Sequence, residues 1–187
     1  MRISGGEFRG RVLSVPKGLD VRPTQDRVRE ALFSMLQNDI RGARFLDLFA
    51  GSGSVGLEAL SRGAAEVAFV EQAPRSLASL ARNIAMLKVE ARCSTIRADV
   101  HAWLANAING LGFDVAYADP PYALAEERGY GAMLERLAEG GFVRPGGLFV
   151  AEMAAGQAPD IAPGWMLCRD RTYGQTRIAI YVRRQAD

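Results

Sequence analysis

Three glycines set between an apolar run and a helix-forming stretch constrain this chain more than any other feature. Phe45-Leu46-Asp47-Leu48-Phe49 leads into Ala50-Gly51-Ser52-Gly53-Ser54-Val55-Gly56, and Leu57-Glu58-Ala59-Leu60 follows. Gly51, Gly53 and Gly56 fit the pattern G-x-G-x-x-G. Glycine is needed there because the backbone turns with unusual φ, and because a nucleotide or a packed strand must come close with no Cβ in the way. A loop that merely packs could use the same three glycines, so the surrounding elements decide the reading. A strand precedes the turn, a helix follows it, and a second apolar run, Val67-Ala68-Phe69-Val70, ends in Glu71. Glu71 lies 20 residues beyond Gly51, the spacing at which an acid at the end of a second strand can bind ribose hydroxyls.

The alternation of strand and helix continues. Strands are expected at 45–49, 67–71, 93–98, 114–118 and 147–152, with helices at 56–61, 74–87, 100–108 and 129–139. That order builds a mostly parallel sheet covered on both faces. Pro74 suits a first helical turn, and Leu77, Leu80, Ala81, Ile84 and Leu87 recur at helical spacing. The end of the chain changes character. Trp165-Met166-Leu167-Cys168 and the alternating Thr176-Arg177-Ile178-Ala179-Ile180-Tyr181-Val182-Arg183, joined through residues 170–175, read as an antiparallel hairpin.

Asp47, Glu71 and Asp99 close three of these strands, at the edge where ligands bind in such a sheet. The glycine fingerprint serves both NAD and S-adenosylmethionine. A dinucleotide sets its pyrophosphate on the helix N-terminus. A sulfonium cofactor carries no phosphate and calls for an anion near its cationic end, which Asp47 is placed to supply; the competing role for Asp47 is to cap the NH groups of the loop. Asp99, just before Val100-His101-Ala102-Trp103-Leu104, is suited both to accept from an adenine amino group and to N-cap that helix.

Asp119-Pro120-Pro121-Tyr122 follows the apolar Val115-Ala116-Tyr117-Ala118. The carboxylate of Asp119 and the carbonyl of Pro120 are acceptors, the prolines fix φ near −65° and add no donors, and Tyr122 offers a flat face to a planar ligand. An exocyclic amine on an aromatic base is a poor nucleophile because its lone pair is delocalised into the ring. Two acceptors that take its hydrogens let the nitrogen pyramidalise and aim that lone pair at a methyl donor, which is catalysis by orientation and electrostatics. The target base must be flipped out or already unpaired, with Tyr122 stacked on it.

The first 44 residues stand outside the alternation. Met1 to Ser4 and Phe8 to Val15 suggest a short hairpin around Gly5-Gly6, and Thr24 is placed to cap a helix with Val28, Ala31, Leu32, Met35 and Leu36 on one face. Residues 1–30 hold seven Lys or Arg and four acids, a net +3 against +2 for the whole chain. A basic appendage beside a base-modifying site suggests contact with phosphate through Arg2, Arg9, Arg11, Arg22, Arg27 and Arg29. Cys93 and Cys168 are isolated and His101 is the only histidine, a pattern of neither a disulfide framework nor a metal site. Met1-Arg2-Ile3-Ser4-Gly5-Gly6 lacks an apolar signal-like core and no run reaches the roughly 20 apolar residues of a membrane span. A cytoplasmic protein away from membranes is therefore expected.

The motifs together resemble a known family. Arg22-Pro23-Thr24-Gln25-Asp26-Arg27-Val28-Arg29-Glu30-Ala31-Leu32-Phe33, the segment from Asp47 to Ala64, and Asp119-Pro120-Pro121-Tyr122 are similar to the bacterial small-subunit ribosomal RNA guanine-N2 methyltransferases. The resemblance extends to the opening Arg2-Ile3-Ser4-Gly5-Gly6 and to Tyr173-Gly174-Gln175-Thr176 near the end. It implies a Rossmann-like class I methyltransferase fold, α/β, with a mostly parallel seven-stranded sheet, a C-terminal antiparallel hairpin and a small N-terminal extension over residues 1–44 before a catalytic domain at 45–187. It also implies S-adenosylmethionine as cofactor and small-subunit RNA, free or in an assembling 30S particle, as substrate of a monomeric, metal-free enzyme. Carried over by position, Asp47 and the Ala50, Gly51, Ser52, Gly53 and Gly56 backbone would hold the methionine part, Glu71 with Gln72 the ribose, and Asp99 with Val100 the adenine. Asp119, Pro120 and Tyr122 would hold the target base, and Thr24 joins the arginines of the RNA-contacting set. Asp-Pro-Pro-Tyr is shared with adenine-N6 enzymes, which leaves that activity as the alternative, with a nicotinamide oxidoreductase and a non-catalytic RNA-binding module more distant.

Overall fold

A computed structural model describes residues 1–16, 23–107, 112–121 and 129–185, with residues 23–25 as backbone only. The chain divides into two compact units, Met1–Asp99 and Val100–Asp187. In the first, β1 (Arg44–Leu48), β2 (Glu66–Glu71) and β3 (Cys93–Arg97) run parallel in the spatial order β3-β2-β1. Phe45, Leu46, Leu48, Phe69 and Val70 are completely buried, as strands covered on both faces must be. The helices of this unit are α1 (Pro23–Met35), α2 (Ser54–Ser61) and α3 (Pro74–Leu87).

Helix α2 is buried throughout from Gly56 to Ser61. Its approach to the sheet depends on glycine. A Cβ on Gly56 would stand 2.4 Å from the Phe69 ring, and one on Gly53, at φ +82°, 2.3 Å from a Leu80 methyl. Helix α3 starts at Pro74 and stops at Lys88, which adopts a left-handed conformation. Its buried stripe is Ser79, Leu80, Asn83, Ile84 and Leu87. Ala81, expected on that face, is exposed, because the stripe is rotated toward Ser79 and Asn83.

The N-terminal segment pairs more loosely than a hairpin around Gly5-Gly6. One antiparallel bridge joins Arg2 and Val12, flanked by Ile3 NH donating to Arg11 C=O at 3.0 Å and Leu13 NH to Met1 C=O at 2.9 Å. The chain reverses between them through a wide turn that uses positive φ at Gly6 and Gly10. Ile3 and Leu13 anchor the segment in the core.

In the second unit α4 (Val100–Asn106) precedes β4 (Phe113–Ala118), and α5 (Gly131–Glu139) leads to β5 (Val143–Ala154). β4 and β5 are parallel; β6 (Trp165–Tyr173) and β7 (Thr176–Arg183) complete the order β4-β5-β7-β6 with antiparallel pairings. The hairpin is tighter than the sequence pattern suggests. Tyr173 pairs with Thr176, so the reversal is confined to Gly174-Gln175, with Gly174 at φ +60°. β5 begins earlier than expected, running through Arg144-Pro145-Gly146-Gly147 with a register shift against β4 between Phe113 and Val115. A proline and two glycines hide that strand start from a pattern of apolar residues. The described residues thus give seven strands, three in parallel pairings in the first unit and four in the second, where one parallel pairing is followed by two antiparallel ones. No described helix is long and apolar enough to cross a membrane.

Candidate active site

In the first unit the candidate residues gather at the glycine turn after β1. Register pairs Asp47 with Phe69 and Leu48 with Val70, so β1 and β2 end side by side. Ala50 NH donates to Val70 C=O at 3.0 Å, and Gly53 NH to Ala50 C=O at 2.8 Å, which closes the turn. Phe49 takes φ +61°. A left-handed conformation costs a residue with a Cβ about 1–2 kcal/mol, and strain of this kind concentrates at ligand sites.

The amides of this turn are already occupied, and by carboxylates. Asp47 Oδ2 accepts from Gly56 NH at 2.9 Å, capping the first turn of α2 from the neighbouring strand. Glu71 Oε2 accepts from Gly51 NH at 2.7 Å, while its Oε1 accepts from Gln72 NH and Ala73 NH at 2.8 and 2.7 Å. Asp47 is 1% exposed. Burial pushes its carboxyl up to about 7, the Gly56 bond opposes that, and the charge of Glu71 adds to it. The structure therefore places Asp47 as the cap of α2, exerting a field on the loop from the interior rather than lying open at its surface. Glu71 is half-buried and Gln72 exposed beside it. Asp99 is half-buried at the end of the first unit, and Val100 is buried at the start of α4.

The opposite side of the loop carries a residue that the sequence pattern passes over. Asn83, 1% exposed on α3, donates from Nδ2 to Ser52 C=O at 2.9 Å and to Ser14 C=O at 2.9 Å, and accepts from Ser14 NH at Oδ1 at 2.7 Å. Its one signal in the sequence is position: residue 83 shares the helical face of Leu80 and Leu87.

In the second unit the candidate residues stand at the carboxyl end of β4. Asp119 is exposed there, Pro120 buried and Pro121 exposed, so the carboxylate stands at the strand end while the first proline is packed. Tyr122 falls outside the described residues. Ala118 pairs with Ala151, and Asp119 and Glu152 are the residues that follow them in the chain. Glu152 accepts from the Tyr117 hydroxyl at 2.6 Å, and its carbonyl accepts from the Tyr130 hydroxyl. Burial raises the Tyr130 phenol far above its ordinary value, with Asp119 and then Glu152 adding to the shift. Tyr130 thus stays a neutral donor beside an acidic strand edge.

Among the basic residues expected to meet RNA, Arg2, Arg9, Arg11 and Arg27 are exposed. Arg29 is a correction. It is 5% exposed, its Nη2 donating to Arg2 C=O at 2.6 Å and Asp26 at 3.0 Å, with Nε 3.4 Å from Glu58. A cation this deep is retained by its counter-ions and is not offered to phosphate. Arg22 and the Thr24 side chain lie outside the described residues. Among the described residues no group of three or more His, Cys, Asp or Glu is arranged to hold a metal.

Comparison with known proteins places these features in context. Residues 1–182 match the family model described as Conserved hypothetical protein 95. The "Ribosomal RNA small subunit methyltransferase D" of Escherichia coli (strain K12) is 36% identical, the match covering 98% of this chain and 90% of that protein. The protein of the same name from Haemophilus influenzae is also 36% identical, over 97% of this chain and 93% of its own. The solved structure of the Escherichia coli protein yhhF superposes with a TM-score of 0.85 at 36% identity, covering 98% of each chain.

Proposed function

The chain belongs to the Conserved hypothetical protein 95 family and is related along nearly its whole length to ribosomal RNA small-subunit methyltransferases, and from that membership we propose that it transfers the methyl group of S-adenosylmethionine to the exocyclic N2 of a guanine in small-subunit ribosomal RNA. The observation that carries the cofactor is the occupation of the glycine turn. Gly51 NH and Gly56 NH, the donors a pyrophosphate would use, are held by Glu71 and Asp47. Two carboxylates at that turn repel a dinucleotide's phosphates and favour a ligand whose charge is positive. The same observation argues against a nicotinamide cofactor, for which the helix N-terminus must stay open.

In this reading the Ala50 to Gly56 backbone receives the methionine end, and Glu71 with Gln72 the ribose, Glu71 exchanging Gly51 NH for hydroxyl donors. Asp99 and Val100 hold the adenine. Asp119 and the Pro120 carbonyl take the two hydrogens of the guanine amine, which localises the lone pair on nitrogen and directs it at the sulfonium methyl. The carbon–sulfur bond breaks as the carbon–nitrogen bond forms, S-adenosylhomocysteine leaves neutral at sulfur, and the amine proton passes to Asp119 or water. Tyr122 stacks on the extruded base. Arg2, Arg9, Arg11 and Arg27 grip the flanking phosphates.

The test is nucleoside analysis of unmodified small-subunit RNA, free and in 30S particles, after incubation with labelled S-adenosylmethionine. N2-methylguanosine is expected. N6-methyladenosine would move the assignment to the adenine enzymes that share Asp-Pro-Pro-Tyr, and unlabelled RNA would reject methyl transfer. Asp119→Ala is expected to cut transfer by about 10²–10⁴-fold, the range for losing a positioned acid–base or orienting group, with cofactor binding kept.

A further inference from the structure

The N-terminal segment is fastened to both helices that frame the glycine turn. At its front, Ser4 NH and Gly5 NH donate to Glu58 on α2 at 2.8 and 2.9 Å, and Ser4 Oγ adds a third bond at 2.7 Å. At its back, Ser14 is gripped through both NH and C=O by Asn83 on α3. The exposed Arg9 and Arg11 lie between the two fastenings. Asn83 does more than hold the segment. Its second amide hydrogen goes to Ser52 C=O at 2.9 Å, the carbonyl of the peptide whose nitrogen, Gly53 NH, closes the turn onto Ala50.

We infer that Asn83 is a positioning residue that couples the N-terminal segment to the cofactor turn, so that RNA on Arg9 and Arg11 and the adenosyl cofactor on the Ala50–Gly56 backbone bind interdependently. The inference rests on the methyltransferase reading above. Asn83 has one acceptor and two donor hydrogens in its primary amide, and each of these three is committed. Ordering Ser52 therefore fixes the amide plane that receives Ser14, and ordering Ser14 fixes the plane that receives Ser52. A ligand that settles either end lowers the conformational entropy left to remove at the other, which produces positive coupling without a large movement. By linkage the coupling is reciprocal. A side chain that served only to brace the fold would slow local opening equally with and without cofactor.

Amide exchange of the full chain separates these cases. With S-adenosylhomocysteine as probe, exchange across residues 9–16 is expected to slow several-fold in the natural protein, and to respond little in Asn83→Ala, while protection across residues 50–56 persists in both. Ser14→Pro, which deletes the Ser14 NH but keeps its carbonyl, removes one of the two bonds between Ser14 and Asn83 and leaves the bond to Ser52; it is expected to respond less than the natural protein and serves if Asn83→Ala folds poorly. In parallel, unmodified small-subunit RNA made by transcription is expected to tighten S-adenosylhomocysteine binding by about fivefold or more, the lower end of ordinary allosteric coupling, and the factor is expected to fall close to one in Asn83→Ala and to an intermediate value in Ser14→Pro. A natural segment indifferent to the probe, or variants that keep the natural coupling factor, overturns the inference. If the natural protein methylates RNA yet transmits nothing to residues 9–16, only the coupling fails; if it neither binds the probe nor transfers methyl, the methyltransferase reading fails with it.

Discussion

Glu58 offers the sharpest test of how the N-terminal segment is held. The residue sits in the middle of α2 and is 0% exposed. Its carboxylate accepts from Ser4 NH, Ser4 Oγ, Gly5 NH, Arg62 Nε at 2.8 Å and Arg29 Nε at 3.4 Å. Removing the carboxylate leaves Arg29, itself 5% exposed, with Asp26 as its remaining counter-ion. Breaking a buried ion pair by deleting one partner costs about 3–5 kcal/mol when the surviving charge stays buried without compensation, a range that is an upper bound here because Asp26 still faces Arg29. At about 2–4 °C per kcal/mol for a chain of this size, Glu58→Ala is expected to lower Tm by up to about 20 °C, and limited proteolysis is expected to cut within residues 1–16 first. pH gives the assay its second axis. Burial pushes the Glu58 carboxyl up, but the Ser4 bonds, the Arg62 guanidinium and the charge of Arg29 outweigh it and hold the group below its ordinary 4.5. A carboxyl depressed in the folded state stabilises fully above its unfolded value and loses that contribution as pH falls through the folded one. Urea denaturation from pH 7 to 3.5 should therefore show a gap between the natural protein and Glu58→Gln that is constant above about 4.5 and closes below it. A Glu58→Ala protein within about 1 kcal/mol of the natural one at pH 7, or a gap that ignores acid, would refute the reasoning.

Asp47 carries the opposite sign: its folded value near 7 means the fold loses stability as pH rises from the free carboxyl's range to about 7. Because a cationic ligand favours the ionised form, S-adenosylmethionine affinity measured calorimetrically is expected to fall below pH 7 by up to about tenfold per unit; a profile no steeper than that of Asp47→Asn would contradict this. Gly56→Ala is expected to cost about 1–3 kcal/mol by overpacking, since the new methyl meets the Phe69 ring at 2.4 Å; an unchanged denaturation midpoint would show that α2 can retreat freely. For Arg9→Ala and Arg11→Ala, the slope of log binding constant against log salt is expected to drop by about 0.7 for each lost contact to single-stranded RNA, and an unaltered slope would remove those two residues from the interface.

Much of this architecture can be read from residues 45 to 118, where strand and helix are written in their own periods. Val67–Val70 and Val115–Ala118 are apolar runs in a sheet buried on both faces, and the glycine spacing reports a close helix-to-strand approach that the Phe69 contacts of Gly56 bear out. The start of β5 at Val143 was not legible, since Pro145, Gly146 and Gly147 carry no apolar period. The N-terminal segment was not legible either: one bridge and two buried anchors, Ile3 and Leu13, hold it, and its further fastenings come from Arg29, 27 residues from Arg2, and from residues 50 or more away such as Glu58 and Asn83.

That distance is the general reason the site is only partly readable. Asp47, Glu71 and Asp119 are found in the sequence because strand ends are local features, and a carboxylate there stands out against the apolar run before it. What each carboxylate binds is set by geometry between elements. Asp47 reaches nine residues along to Gly56 and Glu71 twenty back to Gly51, so both carboxylates hold amides of the glycine turn. Arg29 makes the same point with the charge reversed. Counted along the chain it adds to a basic segment, yet Glu58, 29 residues later, draws it inside and subtracts it from the surface that RNA can meet. Among the described residues the exposed cations of this segment are thus Arg2, Arg9, Arg11 and Arg27, of which Arg9 and Arg11 stand between the Glu58 and Asn83 fastenings. A phosphate backbone bound there loads the very segment whose far end Asn83 ties to the cofactor turn.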